Sequence, residues 1–251
     1  MQAVPSHGDE GVTSISRPGP FYHIEGRKLP SVGMVMSVLS KPALVDWKVK
    51  RAVQMVLDEP ERFTSPEAGL EGLKEDTGAL ERGEAVHELA EDYANNVYGR
   101  EDGGQRSRYA ENPYLPLVEG FFEFYRPKIV LTEAVLYNAT LGYAGTCDLV
   151  AQIGPEARTY LVDYKTSRGV YDEHRLQLAA YAGAEHVYNA DGTPAPMPEI
   201  QRTAIMLLNP GGTTGLVEIH RSMLEYARDF AAFKGLLDVW KWREDRRNSV
   251  A

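Results

Sequence analysis

Two aspartates and a lysine are the residues best suited to chemistry in this chain, and they fall on two strands predicted to be neighbours. Asp148 lies within the first strand, and Asp163 follows it by fifteen positions, which allows a tight return. Because side chains alternate along a strand, Asp163 and Lys165 emerge on one face and Tyr164 on the other. If the hairpin brings Asp148 beside Asp163, two carboxylates and an ammonium group converge at the edge of a sheet.

Such a group of side chains suits the hydrolysis of a phosphodiester. Carboxylate oxygens hold Mg²⁺ or Mn²⁺, and the ion polarises the phosphate and makes a bound water more acidic. A neighbouring lysine can orient that water, take its proton or stabilise charge on the phosphate. The alternative interpretation is an ion pair on an exposed strand, which is what a lone Asp-x-Lys usually forms. Leu161 and Val162 before Asp163 favour the end of a buried strand instead, and α/β proteins commonly place sites there.

The helix predicted after these strands adds two polar side chains. Gln177 and Tyr181 are four residues apart, so both project from one face of the helix. The amide can bond a phosphate or the attacking water, and the phenol can contact a phosphate or stack on a base. The alternative is an amphipathic core helix with incidental polar residues.

A histidine further upstream is a candidate metal ligand. His87 lies on a small and apolar helical stripe, with Gly83 one turn earlier. Neutral imidazole is a competent ligand of Mn²⁺, and Gly83 would let the helix approach the sheet closely. The alternative is a hydrogen-bonded core histidine.

These residues belong to four motifs in a fixed order. The motifs are R-G-E-A-V-H-E-L at 82–89, G-T-C-D at 145–148, D-Y-K-T at 163–166 and Q-L-A-A-Y at 177–181. Together they resemble the PD-(D/E)XK nuclease superfamily, and more narrowly its RecB-like exonuclease branch. The segment L-P-S-V at 29–32 resembles the P-S-V-T segment of phage exonucleases and of the mitochondrial genome-maintenance exonuclease, with Gly33 in place of Thr. The resemblance covers about residues 22–188.

The resemblance implies a metal site and a set of catalytic residues. The implied ligands of Mg²⁺ or Mn²⁺ are His87, Asp148, Asp163 and the backbone carbonyl of Tyr164. The implied catalytic residues are Asp148, Asp163, Lys165, Gln177 and Tyr181, of which Lys165 serves the nucleophilic water while Gln177 and Tyr181 position the water and the DNA strand. Glu133, on the strand before Asp148, would line the same site. The cysteines of the iron–sulfur members are missing, since the chain has only Cys147, so a version without a cluster is expected.

Composition excludes several other classes of protein. The 251 residues are 43% hydrophobic and 25% charged, which is ordinary for a globular protein. A single cysteine excludes an intrachain disulfide and a Cys-only metal cluster. The amino terminus lacks the pattern of a secretory signal, and no apolar run reaches the roughly 18 residues of a membrane span. We therefore expect a soluble, cytoplasmic protein with no membrane contact.

The hydrophobic pattern predicts a mixed α/β fold, and the resemblance makes it a restriction-endonuclease-like central sheet flanked by helices. We expect a flexible leader over residues 1–20 and one nuclease domain over 21–251, divided into a mainly helical part (21–127), a catalytic sheet core (128–220) and a carboxyl-terminal helix (221–245). Predicted helices cover 31–39, 43–57, 77–97, 113–125, 172–188 and 222–244, with Ser31 and Ser222 as the caps of the first and the last. Predicted strands cover 21–24, 129–137, 144–153, 159–163, 201–208 and 215–220, with Gly26 in a hairpin turn.

The implied substrate is DNA with a single- or double-stranded end. The expected activity is that of a metal-dependent exonuclease in recombination, repair or replication. The resemblance further implies an enzyme of the phage type that works with a recombination or replication partner protein. The net charge of −9 excludes nonspecific coating of nucleic acid but not a local basic groove. The candidate phosphate contacts are Arg100, Arg106, Arg108, Lys165, Arg168 and Arg175. Two alternatives remain: a non-catalytic DNA-binding module on the nuclease fold, and an endonuclease acting on flap or branched DNA or on RNA.

Overall fold

The computed structural model describes residues 15–16, 19–40, 42–75, 78–99, 106–188, 192–211 and 214–250. Most of the predicted leader, and the candidate phosphate contact Arg100, lie outside the described residues. The first elements are the short strands β1 (Ile15–Ser16), β2 (Phe21–Ile24) and β3 (Arg27–Pro30), which form a small antiparallel sheet. Glu25 and Gly26 connect β2 to β3 with positive φ angles of 51° and 74°, as a two-residue hairpin requires, so the predicted hairpin is confirmed.

Helices dominate the next hundred residues. They are α1 (Val32–Met36), α2 (Pro42–Asp58), α3 (Pro66–Glu75), α4 (Gly78–Asn96), a 3-10 helix (Arg106–Tyr109) and α5 (Leu115–Tyr125). Helix α3 was not predicted from the sequence, because Leu70 and Leu73 are its only large apolar residues. Its start is nevertheless encoded, because the Ser65 hydroxyl accepts a hydrogen bond from the Ala68 amide at 3.2 Å and Pro66 occupies the first helical position.

The second half of the chain builds the main sheet. Its strands are β4 (Lys128–Asn138), β5 (Tyr143–Ile153), β6 (Arg158–Lys165), β7 (His186–Tyr188), β8 (Pro194–Pro196), β9 (Arg202–Leu207) and β10 (Gly215–His220). Within the described residues the order is β10-β9-β6-β5-β4-β7-β8. Neighbours are antiparallel except β6 and β9, which are parallel. The predicted mixed α/β class is confirmed.

Two predicted helices have different bounds in the structure. The helix predicted over 172–188 ends early, as α6 (Asp172–Ala182), and His186–Tyr188 form β7 against β4. Val187 and Tyr188 are buried because β7 pairs with neighbouring strands. The spacing of apolar residues along the chain does not reveal such pairing. The last helix, α7 (Met223–Val250), extends beyond the predicted end near residue 244. Its predicted cap is confirmed, since the Ser222 hydroxyl accepts from the Glu225 amide at 3.3 Å.

Helices cover both faces of the sheet. Buried residues of α4 and α5 pack on one face, among them Val86, Leu89 and Phe122. Residues of α1, α6 and α7 pack on the other, among them Val35 and Leu178. We call these the α4 face and the α6 face. Along the described chain, each helix is too short or too polar to cross a lipid bilayer.

Candidate metal and catalytic site

The alternation of side chains in β5 reverses at Asp148. Cys147 and Leu149 are two residues apart and would share one face of a regular strand. Instead Cys147 packs on the α6 face and Leu149 on the α4 face. Thr132 lies opposite Leu149 and Ala134 opposite Cys147, which sets Glu133 of β4 opposite Asp148. Glu133 has a φ of 43°, and the irregular backbone at this pair turns both acidic side chains away from the normal pleat.

Strands β5 and β6 separate at the same point. The last pair in their ladder is Leu149 with Val162, so Asp148 and Asp163 come just beyond it. Beyond this pair a side chain replaces the backbone as the hydrogen-bond acceptor for β6. The Asp148 Oδ2 accepts a hydrogen bond from the Tyr164 amide at 2.6 Å. The N–H and C=O of one residue point to the same side of an extended strand. The Tyr164 carbonyl, a predicted ligand, therefore faces the side on which Asp148 lies.

His87 reaches Asp148 from the α4 face. Val86, Leu89 and Ala90 anchor this part of α4 in the core, and the His87 Nδ1 lies 3.3 Å from Asp148 Oδ2. Burial lowers the pKa of His87, but the hydrogen bond to Asp148 and the charge of that carboxylate outweigh burial and leave the pKa above its usual value. Gly83 does not have the predicted packing role, because a Cβ there would meet no described atom within 4 Å.

The structure brings together His87, Glu133 and Asp148 as a possible ligand set. One ligand atom from each lies within 4.8 Å of the other two. Glu133 Oε1 is buried and has no hydrogen-bond partner among the described residues. Burial, followed by the charge of Asp148, raises the pKa of Glu133 to about 7. An imidazole nitrogen and two carboxylates fit Mn²⁺ or Mg²⁺, and a cation would satisfy the unpartnered oxygen.

Asp163, a predicted ligand, lies outside this set and forms an ion pair with Lys165. Its Oδ2 contacts the Lys165 ammonium, and the Asp163 side chain is 2% exposed. Both side chains leave β6 away from Tyr164, whose ring packs on the α4 face, as the predicted alternation requires. Burial raises the pKa of Asp163 more than the Lys165 ammonium lowers it. Burial lowers the pKa of Lys165, but the charges of Asp163 and Asp148 outweigh burial and raise it.

Gln177 and Tyr181 approach from the α6 face. The Gln177 amide donates to the Tyr181 hydroxyl at 2.9 Å, so the predicted shared face is confirmed. Burial and the charge of Asp163 hold the pKa of Tyr181 well above its usual range, which keeps the phenol protonated beside the acidic group.

The glycine of the G-x-x-D motif makes room for this tyrosine. A Cβ on Gly145 would lie 2.5 Å from Cε1 of Tyr181 and 3.4 Å from Val32. Ser31, in the segment before Val32, accepts a hydrogen bond from the Met34 amide at 3.1 Å and caps α1. Two segments distant in sequence, 29–32 and 145–148, therefore meet at Tyr181.

Several predicted phosphate contacts are engaged within the protein. Arg106 is bound by Glu119, and Arg108 lies 3.9 Å from Glu88. Arg175 donates to Asp229 at 2.9 Å. Lys165 belongs to the site, and Arg168 is exposed just after it.

Comparison with protein-family models and with curated proteins gives no match for this chain. The assignment of the site therefore rests on the arrangement of its side chains. All of the residues that meet here are identifiable from the sequence, although Glu133 was expected only to line the site. The register of β4 against β5 is what brings Glu133 into the group, since Glu133 lies opposite Asp148, the aspartate of G-x-x-D.

Proposed function

We propose that this chain is a metal-dependent DNA exonuclease of the RecB-like branch of the PD-(D/E)XK superfamily, built on a restriction-endonuclease-like sheet. One observation carries the proposal. Asp148, Asp163 and Lys165 meet where β5 and β6 separate, with His87 beside Asp148. Two nearly buried aspartates at one strand end, together with a lysine and a histidine, are typical of a functional site.

The acidic side of the site supports ion binding. His87 and Asp148 are suited to hold Mg²⁺ or Mn²⁺, and the Tyr164 amide fixes Asp148 Oδ2 by its hydrogen bond of 2.6 Å. The bound ion supplies polarisation of the scissile phosphate and a more acidic water. His87 has to be neutral to bind the ion, so its raised pKa means that metal and proton compete at this imidazole.

Lys165 acts in its charged form. Because the neighbouring carboxylates raise its pKa, the ammonium is protonated at neutral pH, donates hydrogen bonds and offers positive charge to the phosphate. Asp163 holds this ammonium in place through the ion pair. In this form Lys165 would stabilise charge that develops on the phosphate.

Tyr181 and Gln177 orient the substrate. The Tyr181 oxygen accepts from the Gln177 amide, which leaves its own O–H available to donate to a phosphate or to the attacking water. Arg168, exposed beyond the end of β6, is the candidate contact for the DNA backbone.

Digestion of end-labelled linear DNA and of circular DNA, with Mg²⁺ and with Mn²⁺, tests the proposal. The wild-type chain should degrade the linear form and spare the circle. Asp148→Ala and Lys165→Ala should each lower the rate by about a hundredfold or more, while Lys128→Ala, at the exposed start of β4, should not change it.

An inactive wild-type protein with both ions, or full activity in both site variants, would rule out the proposed chemistry. Cleavage of the circle would instead identify an endonuclease, and parallel assays with flap DNA and with RNA define its substrate. Binding of DNA without any cleavage would identify the non-catalytic alternative.

A further inference from the structure

The helix that carries Gln177 and Tyr181 begins at an unusual residue. Tyr171 is the N-cap of α6, a position at which Ser, Thr, Asp or Asn stabilises a helix and tyrosine is not favoured. Another side chain supplies the cap, since the Tyr171 amide donates to Nδ1 of His174 at 3.3 Å. Helix stability therefore does not explain a tyrosine here, and residues that depart from local preference are expected at functional sites.

The ring of Tyr171 is both exposed and held in place. The residue is 48% exposed, and its ring meets the ring of His174 edge-on, with centroids 5.4 Å apart and 62° between the planes. His174 is buried, so the core of the protein fixes this contact. An aromatic ring that is half in water and positioned by a buried neighbour offers a surface to another flat ring.

The position of Tyr171 relates it to the candidate site. His174, Gln177 and Tyr181 are spaced by three and four residues, so they lie along one face of α6. Tyr181 is the end of this line that lies in the site, and His174 is the end that contacts Tyr171. Ten residues separate Tyr171 from Tyr181, which is about 15 Å along a helix axis. A stacked DNA strand covers that distance in about four nucleotides.

The charges at the start of α6 favour contact with a base rather than with a phosphate. Asp172 and Glu173 lie in the first turn, and these acids would repel a phosphate placed there. A nucleobase is uncharged, and its flat face stacks on an aromatic side chain whatever its identity. The ring of Tyr171 therefore suits a base, while the exposed Arg168 three residues earlier suits the backbone of the same strand.

We propose that Tyr171 stacks an unpaired base of the substrate strand and thereby selects DNA with a single-stranded end over a blunt duplex. This inference rests on the proposed function and deepens it by naming the substrate class. A base can stack on a side chain only after it leaves its own base pair, so a blunt duplex must first open at its end. The half-exposed ring at the N-cap of the helix that reaches the site carries the inference.

Cleavage kinetics on single-stranded and on blunt duplex DNA of one sequence test the inference. The wild type should have the lower KM for the single strand. Tyr171→Ala should raise that KM about tenfold, since stacking of one base on an aromatic ring is worth at least about that much. The loss should fall on KM rather than on kcat. Tyr171→Phe retains the ring and should keep most of the affinity, and Phe124→Ala, which removes an 80% exposed ring on α5, should change neither constant.

Oligonucleotides with a single abasic site separate stacking from a structural role. The abasic site is moved one nucleotide at a time through the strand next to the cleaved end. At one position it should raise the KM of the wild type about as much as Tyr171→Ala does. At that position it should cause no further loss in Tyr171→Ala, because the same contact is already missing. Thermal melts of each variant confirm that it is folded.

The possible failures can be told apart. If Tyr171→Ala cleaves the single strand with the KM of the wild type, or if Tyr171→Phe loses as much as Tyr171→Ala, the stacking role is wrong and the nuclease stands. An abasic scan with no position that is silent in Tyr171→Ala, or an equal loss in Phe124→Ala, contradicts the role as well. A wild type that prefers the blunt duplex contradicts the selection. A wild type that cleaves neither DNA with Mg²⁺ or Mn²⁺ overturns the proposed function itself.

Discussion

Two histidine–aspartate pairs in this protein have similar geometry and different surroundings. His87 lies 3.3 Å from Asp148 at the candidate site, and His220 lies 2.9 Å from Asp229 between β10 and α7. The second pair is fully satisfied. Asp229 also accepts from Arg175 at 2.9 Å, and His220 Nδ1 lies 2.7 Å from the Thr203 hydroxyl.

The second pair holds a neutral histidine. A carboxylate only accepts, so the His220 Nε2 donates to Asp229, and in the neutral imidazole Nδ1 accepts from the Thr203 hydroxyl. Burial lowers the pKa of His220, which keeps the imidazole neutral. At the candidate site the pKa of His87 is raised instead, and Glu133 retains an unpartnered oxygen.

The difference shows what distinguishes a site from a structural network. Both aspartates are largely buried, so burial of the carboxylate alone does not separate the two pairs. Arg175 balances Asp229, whereas Asp148 lies beside the carboxylates of Glu133 and Asp163 and forms no ion pair with an arginine of the described residues. Excess negative charge that the protein does not neutralise is unfavourable for folding and favourable for binding a cation.

Matched substitutions of the two aspartates should give the largest contrast. Asp148→Asn removes a proposed metal ligand, so cleavage should fall about a thousandfold with no loss of stability. Asp229→Asn should leave cleavage within about threefold and lower the free energy of unfolding by about 2–4 kcal/mol, because Arg175 loses its partner. Urea denaturation and digestion of linear DNA measure the two effects. Equal losses of activity in both variants would remove the distinction between the two regions.

Two glycines that face aromatic rings give a second, smaller contrast. A Cβ on Gly145 would lie 2.5 Å from Tyr181, and one on Gly183 would lie 2.4 Å from Phe230. Each change to alanine should lower the free energy of unfolding by about 1–3 kcal/mol through overpacking. Gly145→Ala should also lower the cleavage rate, by about tenfold or more, because it displaces Tyr181. Thermal melts and initial rates test this, and a comparable loss of rate in Gly183→Ala would contradict it.

The two regions should change the pH dependence of the free energy of unfolding in opposite directions. This is the smallest of the expected effects. The pKa of Glu133 is raised from 4.5 to about 7, so the folded metal-free protein binds this proton more tightly than the unfolded chain does. The resulting stability is present below about pH 4.5 and is lost as the pH rises through about 7. After allowance for solvent screening we expect about 1–2 kcal/mol. The raised pKa of His87 acts in the same direction.

His220 acts in the other direction. Because its pKa is lowered, stability is lost as the pH falls below the usual histidine pKa of about 6.5. Urea titrations of the chelator-treated protein between pH 5 and 8 measure both effects. Glu133→Gln should flatten the loss on the alkaline side, and His220→Gln should flatten the loss on the acid side. A slope unchanged by either variant would show that the titrating groups lie elsewhere.

Local signals in the sequence located most of the elements correctly. The hairpin at Gly26, the caps Ser31 and Ser222, and the strands around Asp148 and Asp163 follow from turn chemistry, capping and period-two alternation. These features depend on neighbours in sequence. The predictions that failed depended on distant partners: β7 needs β4 to be a strand, and α3 packs against α2 rather than into the main core.

The chemical types at the candidate site were readable from the sequence, because Asp148, Asp163, Lys165, Gln177 and Tyr181 lie within 34 residues of one another. Their partners were decided by the tertiary structure. Strand separation after Leu149 lets Asp148 accept from Tyr164, and the left-handed backbone of Glu133 brings that acid into the ligand set. Sequence spacing governs which side chains share a face of a strand or helix. The distances between elements are set by the pairing register and by backbone irregularities. Register and irregularities depend on the packing of the whole sheet.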